Sequence, residues 1–226
     1  MQRLPVIIIC MLLSACAAFQ PAGNSNNANA RQVCPATPSG DTAVRLDMVR
    51  QLMDDGRMHA ALAHLDELDS DTVQAKYLRA EILRQSDRSE AAKSLYQQLT
   101  ESCMAGQGHH GLGLIAGRNG QLAESEMQLA RAAELLPVNG RIRNDYGYVL
   151  LMNGQFAAAR HEFLTAIELD NTSQLAETNM VILLYLQGEQ EKARSFASKL
   201  NMDRQTLADL QAQARVLAKQ IPAAQP

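Results

Sequence analysis

The chain has 226 residues, enough for one good-sized domain or one elongated array once any leader is removed. Its apolar share of 46% is ordinary, but aromatics reach only 4% and Trp is absent; the apolar part is mostly Ala, Leu and Met, which favours helix over sheet. The formal net charge of -3 leaves no excess of Lys and Arg to neutralise phosphates, which argues against general nucleic-acid binding.

The first residues read as an address. Arg3 supplies a positive start, and Val6 to Leu13 is an apolar run too short to span a bilayer. It ends in Leu13-Ser14-Ala15-Cys16, which resembles a bacterial lipobox cut before Cys16. Residues 1–15 are then a lipoprotein signal peptide, and Cys16 carries the lipid. The alternative is an ordinary signal peptide cut near Ala15 to Ala18. Acyl chains stabilise membrane attachment by about 0.8 kcal/mol per buried methylene. Ala17 follows the Cys, and by the usual bacterial sorting rule this implies the periplasmic face of the outer membrane. Residues 16–40 are rich in Asn, Ala, Pro, Ser and Gly with almost no charge and no apolar period, as expected of a flexible tether.

Of the four cysteines, Cys10 leaves with the leader and Cys16 is acylated, so Cys34 and Cys103 remain. Two thiols in an oxidising compartment make a disulfide between them the expectation. The alternative keeps them separate, with Cys103 a half-buried turn residue.

From Asp41 onward the chain is periodic. Gly113 and Gly147 stand 34 residues apart, as do Gly120, Gly154 and Gly188, and Ala132 and Ala166. Each period reads as two short amphipathic helices joined by a tight turn; the best formed is residues 140–172, turning at Asn153-Gly154. Residues 174–206 keep Gly188 and Ala193 but place Val181 at the first small position. Residues 106–139 place Ser125 where Ala recurs, and Gly106-Gln107-Gly108 reads as an inter-repeat turn. Residues 72–105 fit through Ala80, Leu83, Ala92 and Tyr96, or one register over through Leu78, Ile82, Ala91 and Leu95. Their turn, Ser86-Asp87, has no glycine. Residues 41–71 fit through Val49, Leu52, Gly56, Ala61 and Leu65 but are short. Residues 207–221 read as one further amphipathic helix that caps the open end.

A 34-residue period resembles the tetratricopeptide (TPR) family. Its pattern of small residue, apolar residue, turn glycine, Ala and aromatic lies on Gly147, Leu150, Gly154, Ala159, Phe163 and Ala166, and again on Gly113, Ala116, Gly120, Leu129, Ala132 and Pro137. The resemblance implies an all-α solenoid of about five helix-turn-helix repeats with a capping helix. It also implies a protein-binding groove lined by the first helix of each repeat, at His110, Leu114, Arg141, Asn144, Tyr148, Thr178 and Tyr185.

Sequence motifs for chemistry are few. His109 and His110 are adjacent and His59 and His64 five apart, both poor fits to one helix face. The sequence has no CxxC pair, G-x-S-x-G turn, H-E-x-x-H helix or phosphate loop. The expectation is a binding protein with no catalytic residue, cofactor or metal. Among tethered TPR proteins, the short leader, Asn-rich tether and Ala-rich hairpins look most like the tight-adherence (Flp) pilus lipoprotein TadD family. TPR pilotins of pilus secretins and NlpI-type adaptors for peptidoglycan hydrolases are similar in architecture. The TadD resemblance implies a secretin subunit or another Flp pilus component as partner, with the membrane reached through the N-terminal lipid.

Overall fold

The computed structural model describes Cys34, residues 40–170 and residues 174–221; the leader, Cys16 and nearly all of the tether lie outside the described residues. The described residues form eleven α-helices and no strand. They pair as α1 (Asp41–Asp54) with α2 (Met58–Glu67), α3 (Val73–Gln85) with α4 (Ser89–Thr100), and α5 (Ala105–Arg118) with α6 (Leu122–Leu135). Then come α7 (Gly140–Met152) with α8 (Phe156–Leu169), α9 (Gln174–Leu186) with α10 (Gln190–Lys199), and a final α11 (Arg204–Leu217) packed on α9. The fold is a TPR-type solenoid of five hairpins with one closing helix.

Each hairpin turns on a left-handed residue. Gly56, Gly120, Gly154 and Gly188 all have φ between 72° and 74°. In the second hairpin Asp87 takes the same position at φ 59°, which is why the turn survives without glycine. Side-chain caps mark several helix starts: Thr72, Asn139 and Asp203 accept hydrogen bonds from the backbone N–H of Ala75, Ile142 and Thr206. The Asp203 cap starts α11 at Arg204, three residues before the expected capping helix.

Inside the hairpins, a small residue on the first helix meets a large one on the second. A Cβ on Gly147 would lie 2.8 Å from the Phe163 ring, and one on Gly113 would lie 2.6 Å from Leu129. Overpacking such a contact costs about 1–3 kcal/mol. One period on, Val181 and Ala197 stand at these two positions, both buried in one apolar cluster, so a larger residue at the first position goes with a smaller one at the second. On α3 the residues of both registers are buried, Ala80 and Leu83 as well as Leu78 and Ile82. On α4, however, Ala92 and Tyr96 are fully buried whereas Ala91 is exposed and Leu95 half-buried, so the second hairpin settles in the first register. Ser125 is also buried, and its hydroxyl donates to the Gly113 carbonyl at 2.9 Å.

The expected turn at Gly106-Gln107-Gly108 is corrected by the structure. These residues lie in the first turn of α5, and Gly106 and Gly108 are buried. A Cβ on Gly108 would meet the backbone of Tyr96 and Thr100 at 2.8 Å, so this glycine lets α5 cross the end of α4. A Cβ on Gly111 would lie 2.2 Å from the Tyr96 ring. The Tyr96 hydroxyl in turn donates to Glu81, which also accepts from Arg84 at 2.8 Å. Burial pushes the Glu81 carboxyl up, but the hydrogen bond and charge of Arg84, with the Tyr96 hydroxyl, outweigh it and hold Glu81 below its usual range. Burial, then Glu81, push the Tyr96 phenol well up. Cys34 and Cys103 are disulfide-bonded with Cα atoms 5.0 Å apart, at the α4–α5 connection.

Candidate functional site: a groove over a buried polar ladder

A cavity of about 520 Å³ opens over the first helices of the third, fourth and fifth hairpins. Leu114 of α5, Tyr148 and Met152 of α7, Leu122 of α6 and Leu175 of α9 supply apolar walls. Gly113 and Gly117 also line it, their bare Cα atoms letting Leu129 and Ser125 of α6 pack close against α5, and Gln213 of α11 reaches its edge. The floor is polar: Asn144, Asp145 and Asn179. Among its lining residues only Arg118 and Asp145 are charged, and Arg118 already pairs with Asp87.

Beneath the floor the polar side chains form a ladder from helix to helix. His110 Nε2 on α5 lies 2.7 Å from Asp145 Oδ2 on α7. Asn144 Nδ2 donates to Asp145 Oδ1 at 3.2 Å, and Asn179 Nδ2 on α9 donates to Asn144 Oδ1 at 2.8 Å. His110, Asn144 and Asn179 are 6%, 2% and 6% exposed, so these are buried groups that partner one another rather than water. His110 and Asn144 occupy the same repeat position, as do Asp145 and Asn179, and the rungs therefore recur with the period. His109 faces elsewhere, with Nδ1 2.6 Å from Gln128, so the two adjacent imidazoles do not share a ligand.

The seven expected groove residues separate into groups. Leu114, Asn144 and Tyr148 line the cavity, and His110 stands directly under it through Asp145. Asn144 is engaged at both ends of its carboxamide, so its role is to position the floor as much as to meet a ligand. Arg141 is exposed and is not among the lining residues; its charge instead opposes the upward push that burial and Glu81 exert on the Tyr77 phenol of the second hairpin. The Thr178 hydroxyl donates back to the Gln174 carbonyl at 2.6 Å. Tyr185 lines a separate cavity of about 190 Å³ between α9, α10 and α11. Sequence reasoning missed Asp145 and Asn179. The signal was present as two polar residues 34 apart, each one step past a chosen position.

Among the described residues no cluster of His, Cys, Asp and Glu could hold a metal ion, and no helix is long and apolar enough to cross a membrane. An apolar-walled groove with a few fixed amides and one carboxylate suits a polypeptide segment, whose side chains fill the walls and whose backbone meets the floor.

Comparison with known proteins settles the family. The chain is 38% identical over 204 residues to the TPR repeat-containing protein PA4299 of Pseudomonas aeruginosa, covering 90% of this chain and 80% of that one. The chain belongs to the TPR repeat-containing proteins. No family model matches it. Among solved structures, Pseudomonas aeruginosa pilF superposes with a TM-score of 0.62 at 18% identity, covering 79% of this chain and 87% of that one. YrrB, described as a TPR protein with an unusual peptide-binding site, gives 0.50 at 22%, covering 79% and 90%. MamA of Desulfovibrio magneticus RS-1 gives 0.55 at 13%, covering 78% and 98%. At these identities the structural likenesses establish the shared TPR fold. TPR arrays are in general scaffolds for protein–protein interaction rather than enzymes, and the groove fits that use.

Proposed function

We propose that this TPR protein is a lipid-tethered adaptor that assists assembly or localisation of the Flp pilus secretion machinery, acting like a pilotin toward the outer-membrane secretin. The observation that carries the binding part is the groove: apolar walls from Leu114, Tyr148 and Leu175 over a fixed floor of Asn144, Asp145 and Asn179. Peptide binding by YrrB, a protein of the same fold, supports the same use here. The membrane part rests on the lipobox-like Leu13-Ser14-Ala15-Cys16, and the pilus part on the resemblance of leader, tether and hairpins to the TadD family.

The mechanism is a clamp. Lipid on Cys16 holds the array at the periplasmic face of the outer membrane, and the groove captures a segment of the secretin subunit, keeping it at that surface while subunits meet. Prearranged floor amides lower the cost of ordering on binding, since the hydrogen-bonding groups are already held.

The test is deletion of the gene followed by immunoblotting of secretin multimers in membrane fractions, with complementation by wild type and by Tyr148→Ala with Leu175→Asp. Both positions are exposed, so the double variant should fold. Loss of multimers on deletion, restored by wild type and not by the double variant, is the expected result. Unchanged multimers and normal Flp pili would overturn the pilus assignment. Co-purification with murein enzymes and altered envelope integrity would point instead to an adaptor for peptidoglycan hydrolases. Fatty-acid labelling lost in Cys16→Ser tests the anchor separately.

A further inference from the structure

The two ends of the array carry opposite charge and each leaves an apolar spot uncovered. Residues 41–71 hold eight carboxylates against three arginines, whereas residues 190–221 hold six Lys and Arg against three carboxylates. Much of this charge is unpaired. Asp41, Asp54 and Asp55 at the first end, and Lys199, Arg204, Arg215 and Lys219 at the last, form no ion pair among the described residues.

The apolar spots lie within these charges. On α1, Val44 and Met48 are 67% and 45% exposed, one turn apart, on the side opposite the buried Leu46 and Val49. On α11, Val216 is 56% exposed on the side opposite the buried Ala214, in line with Ala208 and Ala212 and beside Arg215 and Lys219, with Asp209 the one carboxylate two turns back on the same face. Terminal helices of a solenoid are normally polar outside, because an open end otherwise presents the same surface that repeats use to stack on each other. Here both ends are largely polar outside, with charge of opposite sign, and depart from that rule only at Val44 and Met48 on α1 and Val216 on α11.

We propose that the α1 end and the α11 end are complementary docking faces, and that the partner for each is a second copy of this chain joined head to tail. The contact is heterologous: the acidic face of one copy takes the basic face of the next, Val44 and Met48 meeting Ala212 and Val216. Such a contact leaves one free face at each end and propagates into a short linear array. Like-charged ends oppose the isologous alternatives of α1 on α1 or α11 on α11. This inference concerns the ends and goes beyond the reading of the groove.

The experiment uses the full chain with Cys16→Ser, followed by sedimentation velocity over a concentration series at low and high salt. Expected is a mass that rises with concentration and an association constant that falls on the order of tenfold from low to high salt, since exposed charges are screened. Met48→Glu and Val216→Glu are separate surface variants whose folding is checked by circular dichroism. Each alone is monomeric, because each has lost one of the two required faces. Mixed in equal amounts, they form dimers and nothing larger, because the intact face of each meets the intact face of the other. A wild-type chain that stays monomeric throughout would overturn the proposal. So would one variant associating like wild type while the other does not, which is the signature of an isologous contact. Arg215→Glu with Lys219→Glu provides a check without touching an apolar residue: association is lost, and retention would overturn the charge argument.

Discussion

The second and fourth hairpins place an aromatic ring at the same repeat position and surround it differently. Phe163 of the fourth is fully buried, lies against Gly147, and joins an apolar cluster that runs on through Leu150, Leu151 and α9. Tyr96 of the second is equally buried, but its ring ends in a hydroxyl that donates to Glu81, itself held by Arg84. One geometry is filled by packing alone, and the other by packing plus a polar network of Tyr96, Glu81 and Arg84 in which Arg84 Nε is left without a hydrogen-bond partner among the described residues. Equivalent positions of a repeat therefore share shape without sharing the interaction that holds it.

The sharpest test is to delete each ring. Phe163→Ala should cost about 3–5 kcal/mol through the cavity it leaves. Tyr96→Ala opens a similar cavity and also strips Glu81 of a donor, adding about 1–3 kcal/mol. Urea unfolding of both variants measures the difference. Equal costs would mean the phenol-to-carboxylate bond contributes nothing, and the comparison would fail.

A second contrast is covalent. The Cys34–Cys103 bond ties residues 69 apart and encloses the first two hairpins, while the fourth lies outside the loop. In the chain-entropy account such a loop stabilises by up to ~4 kcal/mol. Hydrogen exchange on a Cys34→Ser variant should show α1 to α4 losing protection before α7 and α8 do. Uniform loss along the array would show that the hairpins unfold as one cooperative unit.

Next in size is the exchange of hydroxyls. Tyr96→Phe should cost about 1–3 kcal/mol, and the reverse change, Phe163→Tyr, should also destabilise, because its new hydroxyl enters an apolar cluster. The pH dependence follows from Glu81. Its folded-state pKa lies below the 4.5 of a free glutamate, so its contribution is fully present above 4.5 and is lost as pH falls through the folded value. Thermal melts should therefore show Glu81→Gln losing less stability than wild type on acidification below pH 4.5. A parallel decline in the two proteins would remove Glu81 as a cause.

How much of this was legible in the sequence depended on distance along the chain. The hairpins showed through turn glycines and small residues at a fixed period, because those positions answer to local geometry. The turn at Ser86-Asp87 showed through its place between two amphipathic runs, but which of the two residues takes the left-handed position did not, because glycine usually marks it. Gly106 and Gly108 were misread as a loop because two glycines near a helix start look like a breaker, and only the crossing of α4 explains them. The groove was legible in outline through Leu114, Asn144 and Tyr148. The ladder was not, since a bond from His110 to Asp145 or from Asn144 to Asn179 joins side chains on different hairpins. No local pattern requires the partner.

The smallest effect belongs to the third hairpin, which sits between the two extremes. Ser125 occupies the position of Ala92, Ala159 and Ala193, yet it is fully packed and its hydroxyl finds the Gly113 carbonyl. Ser125→Ala loses one neutral hydrogen bond, worth about 1 kcal/mol, and gains a better helix former, worth about half of that. The carbonyl is a helix-backbone acceptor, so losing the hydroxyl does not orphan it. The net change should lie within roughly 0.5 kcal/mol of zero, read as a small shift in urea midpoint with unchanged slope. A much larger loss would mean the hydroxyl anchors α5 against α6, placing the third hairpin with the network-held second rather than the packing-held fourth.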